Sequence, residues 1–373
     1  MKTNWQTKNL EDCLDKVVYT KKIQRKDFLK SGFFPIVSQE SEDINGYWDD
    51  EKDLFKCKKP VVIFGDHTQV LKYVDFDFVL GADGVKILKP KEILDSRFFY
   101  FLLQSIDLKS LGYARHYRLL KEIDVSFPPL PEQHRIVKIL DKVFEDIERV
   151  KGNTEKNLQN SKDIFESYLQ NIFTNPGKDW EEKKLVDVCE LKSGTTISPK
   201  LEKQSGDILY VKVGDMNLVG NEIEINTSSR FINSEDLKSK QIIPQGSVIF
   251  PKRGGAIFTN KRRIIIKPTI VDLNTMALVP SKLLNPSLLY YWFLRIDLRD
   301  LNNGSSIPQI NNYSFDNVLI VYPTSLTEQK SIVAKLDNLS EQTKKVEVIY
   351  KQKLADLEEL KKSVLRKAFR GEL

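Results

Sequence analysis

Two long stretches of this chain place apolar residues at the spacing of an α-helix. From Pro131, Ile136, Leu140, Val143, Ile147 and Val150 recur every three or four residues, and Leu158, Ile164, Phe165, Tyr168, Leu169 and Ile172 continue the stripe. From Thr327 the pattern returns as Ile332, Leu336, Leu339, Val346, Ile349, Leu354, Leu357, Leu360, Val364, Leu365 and Phe369. Each stretch is amphipathic on one stripe, with Lys, Glu and Gln crowding its other faces. Pro131 suits a first helical turn, and Glu132 complements the positive end of the helix dipole. The first helix spans roughly 65 Å at its predicted length of about 43 residues. Gly152-Asn153 is its expected point of weakness, and Asn175-Pro176-Gly177 its stop. Neither stripe can be buried alone, so the two helices are expected to pack as an antiparallel coiled coil through Ile136, Leu140, Val143, Ile147, Leu336, Leu339, Val346 and Leu357.

The segments before each helix carry a different pattern. Lys59-Pro-Val-Val-Ile-Phe-Gly-Asp66 is a short apolar run stopped by Gly and Asp, as a buried strand is. Phe76–Leu88 reads as strand, Gly-containing turn and strand, and Leu94–Leu103 as a buried helix. In the later segment, Asp207–Val213, Gly246–Phe250, Arg263–Ile266 and Met276–Val279 are strand-like, and Asn285–Leu294 mirrors the earlier buried helix. The fold class is therefore α/β (α+β), in two copies separated by two long helices. The boundaries are 1–129 for the first mixed domain, 130–175 for the first helix, 176–325 for the second domain and 326–373 for the second helix.

The halves repeat each other. Trp5 and Leu10 return as Trp180 and Leu185, and Val62-Ile-Phe64 returns as Val248-Ile-Phe250. Leu130-Pro-Glu-Gln133 with Ile136-Val137 returns as Leu326-Thr-Glu-Gln329 with Ile332-Val333. The separation drifts from about 175 to about 196 residues, so order is kept while loop lengths differ. Two similar surfaces on one chain suit a ligand with two similar parts, such as DNA with a split site.

Composition adds modest constraints. The 58 Lys and Arg against 52 Asp and Glu give a net charge of +6, a weak bias towards nucleic acid. Three scattered cysteines, Cys13, Cys57 and Cys189, imply no disulfide framework. The opening residues show no signal peptide and no apolar run is long enough to cross a membrane, so a soluble cytoplasmic protein is expected. The motifs of common enzymes are missing. There is no Walker loop, and His67, His116 and His134 do not cluster with cysteines at zinc spacing. No Asn/Asp-Pro-Pro-Tyr/Phe tetrapeptide of an amino-methyltransferase occurs; Phe127-Pro-Pro-Leu130 lacks its polar residue. Neither a catalytic residue nor a metal ligand is expected on this chain.

Polar loops with cations supply the contact candidates. Pro251-Lys252-Arg253-Gly254-Gly255 follows a strand directly, and its cations suit phosphates or a guanine edge. Lys261-Arg262-Arg263 follows. In the first half, Gly112–Leu120 interleaves Arg115, His116, Tyr117 and Arg118, a mixture suited to phosphate contact, guanine readout or stacking. It aligns with Gly304–Asn312, where Ser305, Ser306, Gln309 and Asn311 present hydroxyls and amides, the latter suited to adenine. Matching positions with different chemistry are what readers of two different half-sites need. Gly65–Gln69 is a weaker candidate, since a turn after a strand explains it equally well.

Together these features resemble the specificity subunit of type I restriction–modification systems. The resemblance rests on Leu130-Pro-Glu-Gln-His-Arg-Ile-Val137 and its copy Leu326–Val333, on Glu166–Phe173, and on the ending Leu360–Leu373. It covers the whole chain in the order domain, helix, domain, helix. It implies that each domain reads one half of a bipartite DNA site, while the helices set the gap and dock two adenine-methyltransferase subunits. Restriction subunits would join that assembly. S-adenosylmethionine, ATP and Mg2+ are then expected on the partner subunits, with no cofactor on this chain. The alternatives are the specificity partner of a fused restriction/methyltransferase enzyme, or a coiled-coil scaffold with no DNA role.

Overall fold

The computed structural model describes residues 4–112, 114–236, 241–304 and 307–373. The chain divides into two compact units, Met1–Lys156 with Tyr350–Leu373, and Asn157–Ile349. Each unit therefore contains one mixed domain and parts of both long helices.

In the first unit, Gln6–Asn9 pairs antiparallel with Asp124–Phe127. A four-stranded sheet follows, in the order Leu14–Asp15, Val85–Pro90, Val61–Gly65, Leu71–Val74. All five residues of Val61–Gly65 are buried, as expected of a strand flanked on both edges. Phe76–Leu88 does contain two strands, Phe78–Gly81 and Val85–Pro90, but they lie in different sheets. Phe78–Gly81 is buried throughout and needs neighbours on both edges. It finds them in Lys22–Ile23, Phe34–Val37 and Leu54–Phe55. Helix α1 (Ser96–Gln104) is capped by Asp95, whose carboxylate accepts from the amides of Arg97 (3.0 Å) and Phe98 (2.8 Å). It buries Phe98, Phe99, Phe101, Leu102 and Leu103. The single turn α2 (Tyr117–Leu120) leads to the long helix α3 (Leu130–Thr174).

The second unit repeats this plan with different loops. Trp180–Lys184 pairs with Leu319–Pro323, and the turn α4 (Leu185–Val188) follows the first of these strands. The main sheet runs Cys189–Ser193, Thr275–Pro280, Val248–Pro251, Arg263–Ile265, Glu224–Ile225. A smaller sheet joins Phe231–Ile232, Ile208–Val211 and Thr269–Val271. Helix α5 (Pro286–Leu294) is capped by Asn285, and α6 (Leu326–Arg370) closes the described chain.

The repeated Leu-x-Glu-Gln motif has a structural cause. Gln133 is fully buried on the first turn of α3. Its amide NH2 donates to the carbonyls of Ile93 (2.9 Å) and Pro128 (2.8 Å), and its oxygen accepts from the amide of Asp95, the cap of α1 (2.8 Å). Gln329 on α6 repeats the arrangement with Leu283 (2.9 Å), Pro323 (2.7 Å) and Asn285, the cap of α5 (2.7 Å). In each unit one glutamine thus fixes the start of a long helix against the start of a short one.

The long helices form the antiparallel pair. In the first unit, Arg135 donates to the terminal Leu373 carbonyl (2.7 Å), while Glu148 pairs with Lys361 (3.3 Å) and Lys151 with Glu358 (2.9 Å). Numbers rise on one helix as they fall on the other. Ile136, Leu140 and Ile147 are buried in one core with Leu365, Ala368 and Phe369, and Val143 and Leu357 pack half-buried against it. The same core contains Phe98 and Phe101 of α1, so the stripe serves both the domain and the partner helix. In the second unit, Leu336 is buried with Leu169 and Phe173, and Leu339 is half-buried.

Val346 departs from the expected stripe: it is 37% exposed, with Val348 and Ile349 more so. The buried positions near the middle of the helices are instead small and polar: Thr154, Ser161 and Thr343. Their hydroxyls donate to carbonyls of their own helix, those of Val150 (2.7 Å), Leu158 (2.8 Å) and Leu339 (3.0 Å), which satisfies them where they are buried. Helix α3 runs through Gly152 without a break, and a Cβ added there meets nothing within 4 Å. No helix among the described residues is long and apolar enough to cross a membrane.

Candidate functional site

In both units the strand Val61–Gly65 or Val248–Pro251 runs into a segment tied to the residues beyond the short helix. In the second unit Ile310 N donates to Lys252 O (2.9 Å), and Gly254 N donates to Pro308 O (2.8 Å). Between these bonds Arg253 and Gln309 oppose each other in an isolated antiparallel bridge. In the first unit His116 N donates to Asp66 O (2.8 Å), and Tyr117 N donates to Asp66 Oδ1 (2.8 Å). Asp66 and Lys252 follow the equivalent strands, so one backbone tie holds residues of opposite charge in the two units, Asp66 buried and Lys252 half-buried. The segments paired by sequence alignment, Gly112–Leu120 and Gly304–Asn312, are the ones brought to these ties.

The second-unit surface is built on rigid turns. After Arg253, in extended conformation, Gly254–Thr259 forms a 3-10 turn closed by Asn260 in the left-handed region (φ +54°). Asn260 Oδ1 accepts from Leu298 N (2.9 Å), which fixes that turn to the segment after α5. Ile257 is buried beneath the turn, leaving Phe258 54% exposed beside the basic residues. Tyr313 is also exposed, its hydroxyl accepting from Asn311 Nδ2 (3.0 Å).

The cations named from the sequence separate into two groups. Lys252 is half-buried; it donates to Ser193 Oγ (2.9 Å), and burial, then the neighbouring Arg253, pulls its pKa down. Lys261 donates to Asn217 Oδ1 while remaining at the surface. Arg253 is exposed, and no hydrogen bond or ion pair among the described residues engages its guanidinium.

Arg262 corrects the sequence expectation. It is only 2% exposed, packs over the Phe293 ring (4.9 Å), and donates to the carbonyls of Asn260 (2.7 Å) and Ile296. Burial pulls its pKa down to about 10. Half-buried Arg263 donates to Arg262 O (2.6 Å) and Met216 O (2.9 Å), and burial likewise lowers its pKa. These guanidiniums satisfy the ends of turns and support the surface from below. Gln309 and Asn311 lie at the surface with partial burial, whereas Ser305 and Ser306 lie outside the described residues.

His116 is likewise a buried framework residue, not a surface contact. Its Nε2 accepts from Leu111 N (3.0 Å), and its Nδ1 lies 3.0 Å from Asp66 O. Tyr117 is half-buried near Phe64 (6.4 Å), with Lys86 Nζ over its ring (5.3 Å), so one aromatic face is already covered. Arg115 and Arg118 remain exposed. Lys22 and Lys86 join Arg115 in a charged group, with Asp83 and Asp66 among them, that sequence reading missed. Burial, then Lys86, lowers the Lys22 pKa; Arg115 adds to the effect and Asp83 opposes it. Gly65–Gln69 forms a fastened turn, with Thr68 donating to Gln39 O (2.6 Å). Among the described residues, no group of three or more His, Cys, Asp or Glu side chains is placed to hold a metal ion.

The sequence matches the family of the type I restriction modification DNA specificity domain over residues 2–158 and 177–358. This chain belongs to that family. It is 28% identical over 178 residues to the type I restriction enzyme MjaIX specificity subunit of Methanocaldococcus jannaschii. That alignment covers 45% of this chain and 40% of the relative, so the chain matches less than half of that protein's length. It is 23% identical over 353 residues to the EcoR124I/EcoR124II specificity subunit of Escherichia coli, covering 87% of this chain and 83% of that one. A chain solved in a study of assembly and conformational transition of a type I R-M system shares the fold, with TM-score 0.76 and 19% identity over 99% of this chain and 98% of that one. The HsdS subunit from Thermoanaerobacter tengcongensis gives TM-score 0.55 at 19% identity, covering 99% of this chain and 97% of its own. The family's specificity domain thus occurs twice here, as the internal repeat requires.

Proposed function

We propose that this chain is the DNA sequence-specificity subunit of a type I restriction–modification enzyme and carries no catalysis itself. Each mixed domain reads one half of a bipartite site, and the paired helices set the unspecified gap. The observation that carries this reading is the duplicated tie at the strand ends. One framework carries exposed Arg115 and Arg118 in the first unit, with Asp66 buried beneath them in the tie, and Lys252, Arg253 and Gln309 in the second. A common scaffold with divergent surface chemistry suits two different half-sites. Modification and restriction subunits are the protein partners, with two copies of the adenine methyltransferase, and S-adenosylmethionine, ATP and Mg2+ reside on those partners. Exposed Ile164, Val346, Val348 and Ile349 on the helices of the second unit support a protein-docking role there.

The test is a domain exchange. Residues 1–129 are replaced by the first domain of a relative, and the methylated motif is read from the genome of cells that also make the methyltransferase. One half of the motif should change while the other half stays. A change in both halves, or in neither, would contradict modular reading. The assembled complex should also lose affinity steeply with added salt, whereas a scaffold without a DNA role would not.

A further inference from the structure

We infer that Arg253 and Gln309 act as one base-reading pair, and that the half-site read by the second unit contains a guanine adjacent to an adenine. The inference rests on the reading of this chain as a DNA-specificity subunit and adds the bases.

The bridge between Arg253 and Gln309 is held on both sides by the Gly254–Pro308 and Ile310–Lys252 hydrogen bonds. Directly opposed residues of an antiparallel pair project from the same face, with Cβ atoms about 4.5–5.5 Å apart. That separation compares with the roughly 3.4 Å rise between bases along one strand, so two such side chains can meet neighbouring base pairs. The backbone beneath them is fixed: Asn303 N donates to Gln309 O (3.0 Å), and the following turn is closed by Asn260.

Availability distinguishes this pair from the cations around it. Lys252 is engaged by Ser193, Lys261 by Asn217, and Arg262 and Arg263 by backbone carbonyls. Among the described residues, no hydrogen bond or ion pair involves the Arg253 guanidinium or the Gln309 side-chain amide. Arginine alone would suit a phosphate equally well. Glutamine favours a base over a phosphate, because only a base edge engages the NH2 and the oxygen of its amide at once. A phosphate oxygen offers acceptors alone, whereas adenine offers N7 as acceptor and N6 as donor, and guanine offers O6 and N7 to arginine. The pairing of these two side chains therefore matches a G·C pair beside an A·T pair in the major groove.

The test uses the full chain co-expressed with its methyltransferase, with methylation read genome-wide. Arg253→Ala should relax one position from guanine, and Gln309→Ala should relax the adjacent position from adenine, each reducing discrimination about 10- to 100-fold. The other half-site should be unchanged. Arg253→Gln should move the preference at its position from guanine towards adenine, a gain that misfolding cannot produce. The pair is refuted if the half of the wild-type motif read by the second unit has no G·C pair next to an A·T pair. It is also refuted if the variants lower methylation with the motif intact, as loss of a phosphate contact would. If the wild-type motif is continuous, or independent of this chain, the specificity-subunit reading fails and the pair fails with it.

Discussion

Gln133 and Gln329 explain, at the scale of single residues, why a short motif survives in a chain whose loops have diverged. Each is buried and bonded on both ends of its amide to backbone groups at a helix start. Replacing either with alanine leaves buried amide and carbonyl groups unpaired, at a cost of about 2–4 kcal/mol. Thermal melts of the assembled protein should show a clear loss for each variant; wild-type melting would mean the clamp is dispensable. Arg262 and Arg253 make the matching contrast. Arg262→Ala removes a buried side chain and its carbonyl bonds and should destabilise by about 1–3 kcal/mol, while Arg253→Ala should stay within about 0.5 kcal/mol. Denaturant unfolding of both variants checks this, and equal losses would contradict the assignment of Arg262 to the framework. Sequence could name both arginines but could not separate them, because charge alone does not show which guanidinium finds carbonyls. The glutamines were visible as a repeat, yet their purpose depends on partners some 40 residues away.

Among the elements, the two long helices were the most legible. Their apolar spacing set them out almost end to end, since a stripe of that length has few other solutions. The middle of the pairing was not legible. Thr154, Ser161 and Thr343 are buried where an apolar reading chose Val346, because hydroxyls bonded within their own helix behave as small packing groups. Gly152 also proved compatible with an unbroken helix. Because the space a methyl group would occupy there is open, Gly152→Ala should stabilise the protein by about 1 kcal/mol. A higher melting temperature checks it, and a lower one would show that the glycine is needed for something other than helix continuity. Short strands were placed well, but their partners were not: Phe78–Gly81 and Val85–Pro90 are neighbours in sequence and belong to separate sheets.

For the whole molecule, duplication is the organising fact. Each unit repeats the edge strand pair, the capped short helix, the glutamine clamp and the tie at a strand end. The repeat in sequence disclosed this plan because framework positions are constrained in the same way twice. The surfaces were less legible, since the exposed ends of Arg115, Arg118, Arg253 and Gln309 depend on loops that differ between the copies. The central claim is that two divergent surfaces read two separated DNA words. Its most direct test is genome-wide sequencing of adenine methylation in cells making the partner methyltransferase, with and without this chain. The account predicts a motif of two specified segments, separated by an unspecified gap of fixed length, that disappears when the chain is absent. A continuous motif, or methylation unchanged by its removal, would contradict it.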